Sequence, residues 1–134
     1  MGFGTNTGQD ITFNVGAVAL TQFTFVKMGA AGVVVCTGAD GEEPVGVCQD
    51  NAALGTSSQV RTYGPSKVLC GASFAIGDKL MSDSTGRAIK YVTPTVVAGT
   101  PAVITGPPCL GIAVEAGAVN NIVAMLYSPR GLTA

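Results

Sequence analysis

Residues 11–134 predict an all-β domain of the small β-barrel kind, with an extended N-terminal arm over residues 1–10 and at most one short helix. Three observations carry this reading. Apolar and polar residues alternate with a period of two in segment after segment, as half-buried strands require. The segments recur at about 8–12-residue intervals, the spacing of sandwiches and barrels. The breaks between them centre on glycine, of which there are 19 in 134 residues, and glycine is the strongest turn former. A chain of this length is one domain, large enough to bury its own core.

Along the chain, residues 1–10 are small, polar and Gly-rich, with Phe3 as their one aromatic group. Such a segment cannot fold alone and reads as an arm that a partner orders. Ile11, Phe13 and Val15 alternate with Thr12 and Asn14 as a first strand. Residues 22–27 form the next, placing Phe23 and Phe25 on one face. A Gly-Ala turn leads to Val33, Val34 and Val35, a β-branched run. Asp40-Gly41 signals a hairpin between that run and residues 44–48, where Pro44 suits a strand start or an edge. Residues 50–54 are the one helical candidate, with Asp50 as N-cap. Residues 59–63 alternate again and stop at Gly64-Pro65. Residues 68–70, 79–81, 88–92, 110–114 and 122–127 supply the remaining strands. In the fourth of these, Leu110, Ile112 and Val114 share a face, and Gly111 and Ala113 leave the other nearly bare. Residues 93–108 read as a long Pro-rich loop. Its apolar Val96, Val97, Val103 and Ile104 fit contact with a partner, or a β-hairpin packed on the barrel itself.

Composition narrows the function. Charged residues make up 11% and hydrophobic residues 47% of the chain, against roughly 25% charged in ordinary soluble domains. Either a neutral Gly, Ala, Thr and Ser surface faces water, or other subunits cover much of the surface, since interface cores are depleted in charge. The second reading is preferred. A net charge of −1 with no two basic residues adjacent gives no footprint for direct nucleic-acid binding. The uncharged stretch between Lys90 and Glu115 is broken by Pro94, Pro101, Pro107 and Pro108, which excludes a spanning helix. No membrane role is expected. The first residues lack the basic and apolar regions of a signal peptide, and Asn6 stands where a myristoylation motif wants Ser or Thr. The chain is expected to be made in, and to act from, a cytoplasm.

Reactive chemistry is sparse. The chain has no histidine, which removes the commonest general base and metal ligand and every Ser/His/Asp or Cys/His arrangement. Ser66 and Lys67 are adjacent, so on a strand they point to opposite faces. Asp78 and Asp83 stand at turns, where Asp bonds local amides. Glu42 and Glu43 read most simply as a solvated turn. A Ca²⁺ site using Asp40, Glu42 and Glu43 has too few ligands at defined spacing. Gly2, Gly4 and Gly8 lack the strand, helix and Lys of a phosphate loop. Cys36, Cys48, Cys70 and Cys109 could form two disulfides or a zinc site, but no Cys-x-x-Cys pair exists, and buried reduced thiols are the default. No catalytic residue, cofactor or metal is therefore assigned. An enzyme ranks last. A small-ligand-binding barrel would need a polar cavity, and Phe23, Phe25, Leu110 and Ile112 are expected to fill the interior.

Four pieces resemble a known family: Pro44-Val45-Gly46-Val47, Gly77-Asp78-Lys79-Leu80, Asp83-Ser84-Thr85-Gly86-Arg87-Ala88, and Leu110-Gly111-Ile112-Ala113-Val114-Glu115-Ala116 with the final apolar run. In order and spacing they are similar to the capsid cement, or head-decoration, proteins of tailed bacteriophages. The four cysteines and the Pro-rich insertion depart from the usual pattern. The resemblance implies a small β-barrel or β-tulip fold and a homotrimer on the outer surface of the virion. There it would bridge neighbouring major capsid proteins against the pressure of packaged DNA. The contact residues expected are Phe3 in the arm, Val96, Val97, Val103 and Ile104 in the loop, and Tyr127 and Leu132 near the C-terminus, with Phe3 and Tyr127 as aromatic anchors. The alternative is another virion β-domain of tail, spike or fibre base.

Overall fold

The computed structural model describes residues 9–92, 95–98 and 103–131. Among them are eleven strands and no helix: β1 (Gln9–Asn14), β2 (Phe25–Met28), β3 (Val33–Val35), β4 (Pro44–Cys48), β5 (Ser57–Leu69), β6 (Lys79–Ser82), β7 (Ala88–Lys90), β8 (Thr95–Val97), β9 (Val103–Thr105), β10 (Cys109–Ala113) and β11 (Ile122–Gly131). The expected all-β class is what forms. The neighbour order is β3-β2-β4-β5-β11-β10-β6-β7, with β1 also paired to β5 and β8–β9 a separate two-stranded sheet. Every ladder between named strands is antiparallel. Both ends of the long sheet curl back. Val33 bridges Val15 beyond β1, and Ala88 bridges Cys70 beyond β5, giving a curled half-barrel.

β5 is the strand that both halves share. Residues 57–63 pair with β1 and, through Val60 and Arg61, with β4, whereas residues 64–69 pair with β11. The expected stop at Gly64-Pro65 does not occur, and the reason is local. Gly64 takes φ +100°, a conformation open to a residue without Cβ, so the strand bends there without ending. The Pro65 carbonyl points to the Arg61 guanidinium and away from β11. The N–H that proline lacks would point the same way, so no ladder bond to β11 is lost. Alternation survives the bend: Ser58, Val60, Gly64, Ser66 and Val68 face inward and their neighbours outward.

The core sits on both faces of the β2–β4 layer. Phe25 and Val47 pack with Val68, Leu80, Leu110, Met125 and Tyr127. Val26, Cys48 and Val60 pack on the other side with Val15, Leu20 and Ala52. This explains why Phe25 and Val26 in β2, and Val47 and Cys48 in β4, are apolar at consecutive positions. Each large side chain so enclosed contributes about 1.5–3 kcal/mol. All four cysteines are buried and unpaired, and burial pushes the Cys36, Cys48 and Cys70 thiols up, making them poor nucleophiles.

Several expectations are corrected. Gln9 and Asp10, assigned to the arm, begin β1, where Asp10 pairs with Arg61. Residues 50–54 are not helical. Ala52 bridges Leu20, and Asp50 accepts the Ser58 hydroxyl at 2.6 Å instead of capping a helix. Phe23 lies outside β2, half-exposed at φ +65°. In β10 an irregularity between Cys109 and Gly111 switches the faces, so Gly111 and Ala113 turn inward and Ile112 and Val114 outward. A Cβ on Gly111 would lie 2.1 Å from the Leu126 carbonyl oxygen, so close approach of β11 requires glycine there. Of the two readings of residues 93–108, partner-contacting loop or β-hairpin, the described residues show a hairpin, with β8 and β9 paired.

Asp40-Gly41 turns, with Gly41 at φ +69°, but it does not join a hairpin. β3 and β4 flank β2 on opposite sides, so residues 36–43 cross the end of β2. Glu42 fixes that crossing and is buried rather than solvated. Its carboxylate accepts the Thr37 and Gly38 amides at 2.9 Å each and the Lys27 ammonium of β2 at 2.6 Å. Burial opposes its charge, but Lys27 and the two amides outweigh burial and hold the carboxyl below its ordinary value. The Glu42 hydrogen bond likewise raises Lys27.

Two predictions follow from these contacts. A depressed carboxylate stabilises the fold above its unfolded-state pKa, and that stabilisation is lost as pH falls through the folded value. Glu42→Gln should therefore lower stability at pH 7 by about 1.5–3 kcal/mol, the cost of weakening charged hydrogen bonds. Urea denaturation should also show a smaller loss of stability between pH 5 and pH 3 than in the parent. Separately, the Tyr127 hydroxyl is buried with no hydrogen-bond partner among the described residues. Tyr127→Phe should then leave the midpoint of thermal unfolding unchanged or raised, because no bond is lost and desolvation is relieved.

Candidate functional site

Of the polar groups considered for chemistry, Ser66, Asp78 and Asp83 are used locally. Ser66 faces inward and accepts the Gln49 side-chain amide at 3.0 Å, while Lys67 faces outward, so the two do not meet. One Asp83 oxygen accepts the Thr85 and Arg87 amides at 2.8 and 2.9 Å, and the other meets the Arg87 guanidinium at 3.2 Å. This is the turn-capping role expected of it. Asp78 accepts the Ala75 amide at 2.9 Å. Among the described residues no three His, Cys, Asp or Glu side chains cluster as metal ligands, and no helix is long and apolar enough to cross a membrane.

What the fold does build is a weakly charged outer face. On β11, Val123, Met125 and Tyr127 point inward, leaving Ile122, Ala124 and Leu126 outside. Register sets these beside outward residues of both neighbours: Ile122 opposite Leu69, Ala124 opposite Lys67, and Leu126 opposite both Pro65 and Ile112. Ile122 is 53% and Leu126 39% exposed. Beyond the strand ends the loops add exposed Ile76, Val114 and Val119. Beside this face lies an open groove of about 450 Å³, bounded by Phe23, Gln49, Arg61, Pro65, Lys67 and Ala124. A surface of this kind suits contact with another protein, where apolar area and few charges mark the interface core.

The expected contact residues fall in three places. Tyr127 is fully buried, its ring 6.2 Å from that of Phe25, so it is a core residue and offers a partner no surface. Val96 pairs with Ile104 and Val97 with Val103 in the β8–β9 hairpin, which is tied to the body by the Gly41 N–H donating to the Gly106 carbonyl at 3.1 Å. Phe3 and Leu132 lie outside the described residues. The groove residues Phe23, Lys67 and Ala124 were not singled out as contacts. They come from three separate segments, and only register brings them together.

Comparison with known proteins gives the fold a relative and the chain a family. A solved structure, the head fiber gp8.5 N base of bacteriophage phi29, shares the fold: 17% of residues are identical, 94% of this chain and 100% of that chain are covered, and the TM-score is 0.61. No curated protein matches the chain. Residues 5–127 match the model of the phage cement protein family. That match covers nearly the whole chain, β1 to β11, and the chain accordingly belongs to the phage cement proteins, structural components of the phage particle.

Proposed function

We propose that the protein is a capsid cement or decoration protein that binds the outer surface of the phage head as oligomers, homotrimers in the simplest arrangement. It bridges neighbouring major capsid subunits and holds the shell against internal DNA pressure. The observation that carries this reading is the family match over residues 5–127. The weakly charged outer face around β11 supports it, since a clamp gains affinity from buried apolar area and from several contacts acting together. Glu42, Asp78 and Asp83, tied up in a crossing and in turns, favour a structural role over turnover of a substrate. A second reading, the base of a head fiber, is favoured by the likeness to the phi29 head fiber base. In that case the domain attaches to the head without reinforcing it.

Adding the purified protein to mature heads that lack it should produce co-sedimentation with the heads and a higher temperature of shell rupture on heating. Binding without any change in rupture temperature would favour the fiber-base reading, and absence of binding would overturn both.

A further inference from the structure

Phe23 holds a backbone conformation that bulky residues seldom take, φ +65°. The fold keeps it there from both sides: its N–H donates to the Cys48 carbonyl at 2.8 Å and its carbonyl accepts the Leu69 N–H at 2.8 Å. Strain of this sort persists where surrounding structure over-determines it, and it concentrates at working sites. Here it places a half-exposed aromatic ring in the wall of the groove described above.

Two of the groove's lining residues are cations, and they differ. Arg61 is compensated by Asp10 and also bonds the Pro65 carbonyl. The Lys67 ammonium has no carboxylate within 4.0 Å among the described residues. The nearest acidic group along the register, Glu115, lies on the β10 side of β11 and accepts the Ala124 amide at 2.7 Å. The groove therefore joins an apolar wall, Phe23, Pro65 and Ala124, to one uncompensated positive charge. It opens onto the apolar strip of Ile122 and Leu126.

We propose that this groove is the seat of an extended segment of the shell subunit, one that sets a carboxylate against Lys67 and an apolar side chain against Phe23 and Ala124. The inference rests on the cement reading and names its contact. Charge complementarity sets what the occupant must carry, a carboxylate for Lys67, and the cement reading says which protein carries it. Residues 1–8 of the chain itself contain no Asp or Glu, so the arm does not supply the carboxylate that Lys67 lacks.

The test uses Lys67→Glu, Lys67→Arg and the groove-filling Ala124→Arg, titrated onto heads lacking the protein. Thermal unfolding and sedimentation of the free variants are measured alongside. Lys67→Glu should bind at least about tenfold more weakly, the loss typical of reversing one charge at a contact, and its binding should lose the salt sensitivity of the parent. Lys67→Arg should bind as the parent does. Ala124→Arg should also bind weakly with unfolding unchanged. If it fails to fold, the exposed Lys67 pair decides the matter alone. Parent-like binding by Lys67→Glu would overturn the inference and leave the cement reading standing. An altered sedimentation coefficient for Lys67→Glu would assign the groove to a second copy and overturn it too. Failure of the parent itself to bind heads would overturn both.

Discussion

The rest of the structure depends on one strand passing through a bend. β5 runs from Ser57 to Leu69 without interruption, although Gly64 and Pro65 stand at its centre. Residues before the bend hold β1 and β4, and residues after it hold β11. Were the strand to stop at Gly64, the two halves would be separate sheets of five and four strands, each with half a core. Because it continues, Phe25 and Val47 of one half pack directly on Leu80, Leu110, Met125 and Tyr127 of the other. The cost is a positive φ that glycine alone meets cheaply. The return is a single interior and an outer surface whose register is fixed across both halves.

We place the working surface on that outer face. The interior is filled largely by apolar side chains and buried thiols, and Glu42, Asp78 and Asp83 are spent on architecture. Glu42 locks a crossing, Asp83 closes a turn, and Asp78 does the same one strand earlier. The family to which the chain belongs is one of phage structural proteins, and the physics fits. A protein with 11% charged residues gives up surface solvation, which is tolerable where neighbouring subunits cover it. The continuation of β5 past Gly64 contributes directly, since it sets Lys67 opposite Ala124 and Pro65 opposite Leu126, and Pro65, Lys67 and Ala124 line one groove with Phe23.

How much of this was legible in the sequence follows from the range of each signal. Strands such as residues 11–15 and 59–63 were readable because period-two alternation is local, and Pro44 marked its own strand start. The Asp83 turn was readable for the same reason. Partner choice was not. Asp40-Gly41 announces a turn truly but says nothing of what pairs on either side, and β2 came between. The Glu42 contact was invisible because Lys27 is fifteen positions away in the chain. In β10 one irregularity reversed the faces of Ile112 and Val114, which no alternation pattern reveals. β11 is apolar on both faces, so Tyr127 could be read as an anchor when its ring belongs to the core. The groove had no local signature at all. The nearest to one is the outward series Ile122, Ala124 and Leu126, apolar where a solvated strand would carry polar residues.

The central claim is that the protein works through the outer face of β5 and β11, pressed against the shell. The most direct measurement is an electron cryomicroscopy map of heads carrying the protein, resolved well enough to orient the β-domain. The account predicts shell density against Ile122, Ala124, Leu126 and the groove at Lys67. A map in which that face points into solvent, with the domain held to the head by some other surface, would contradict it.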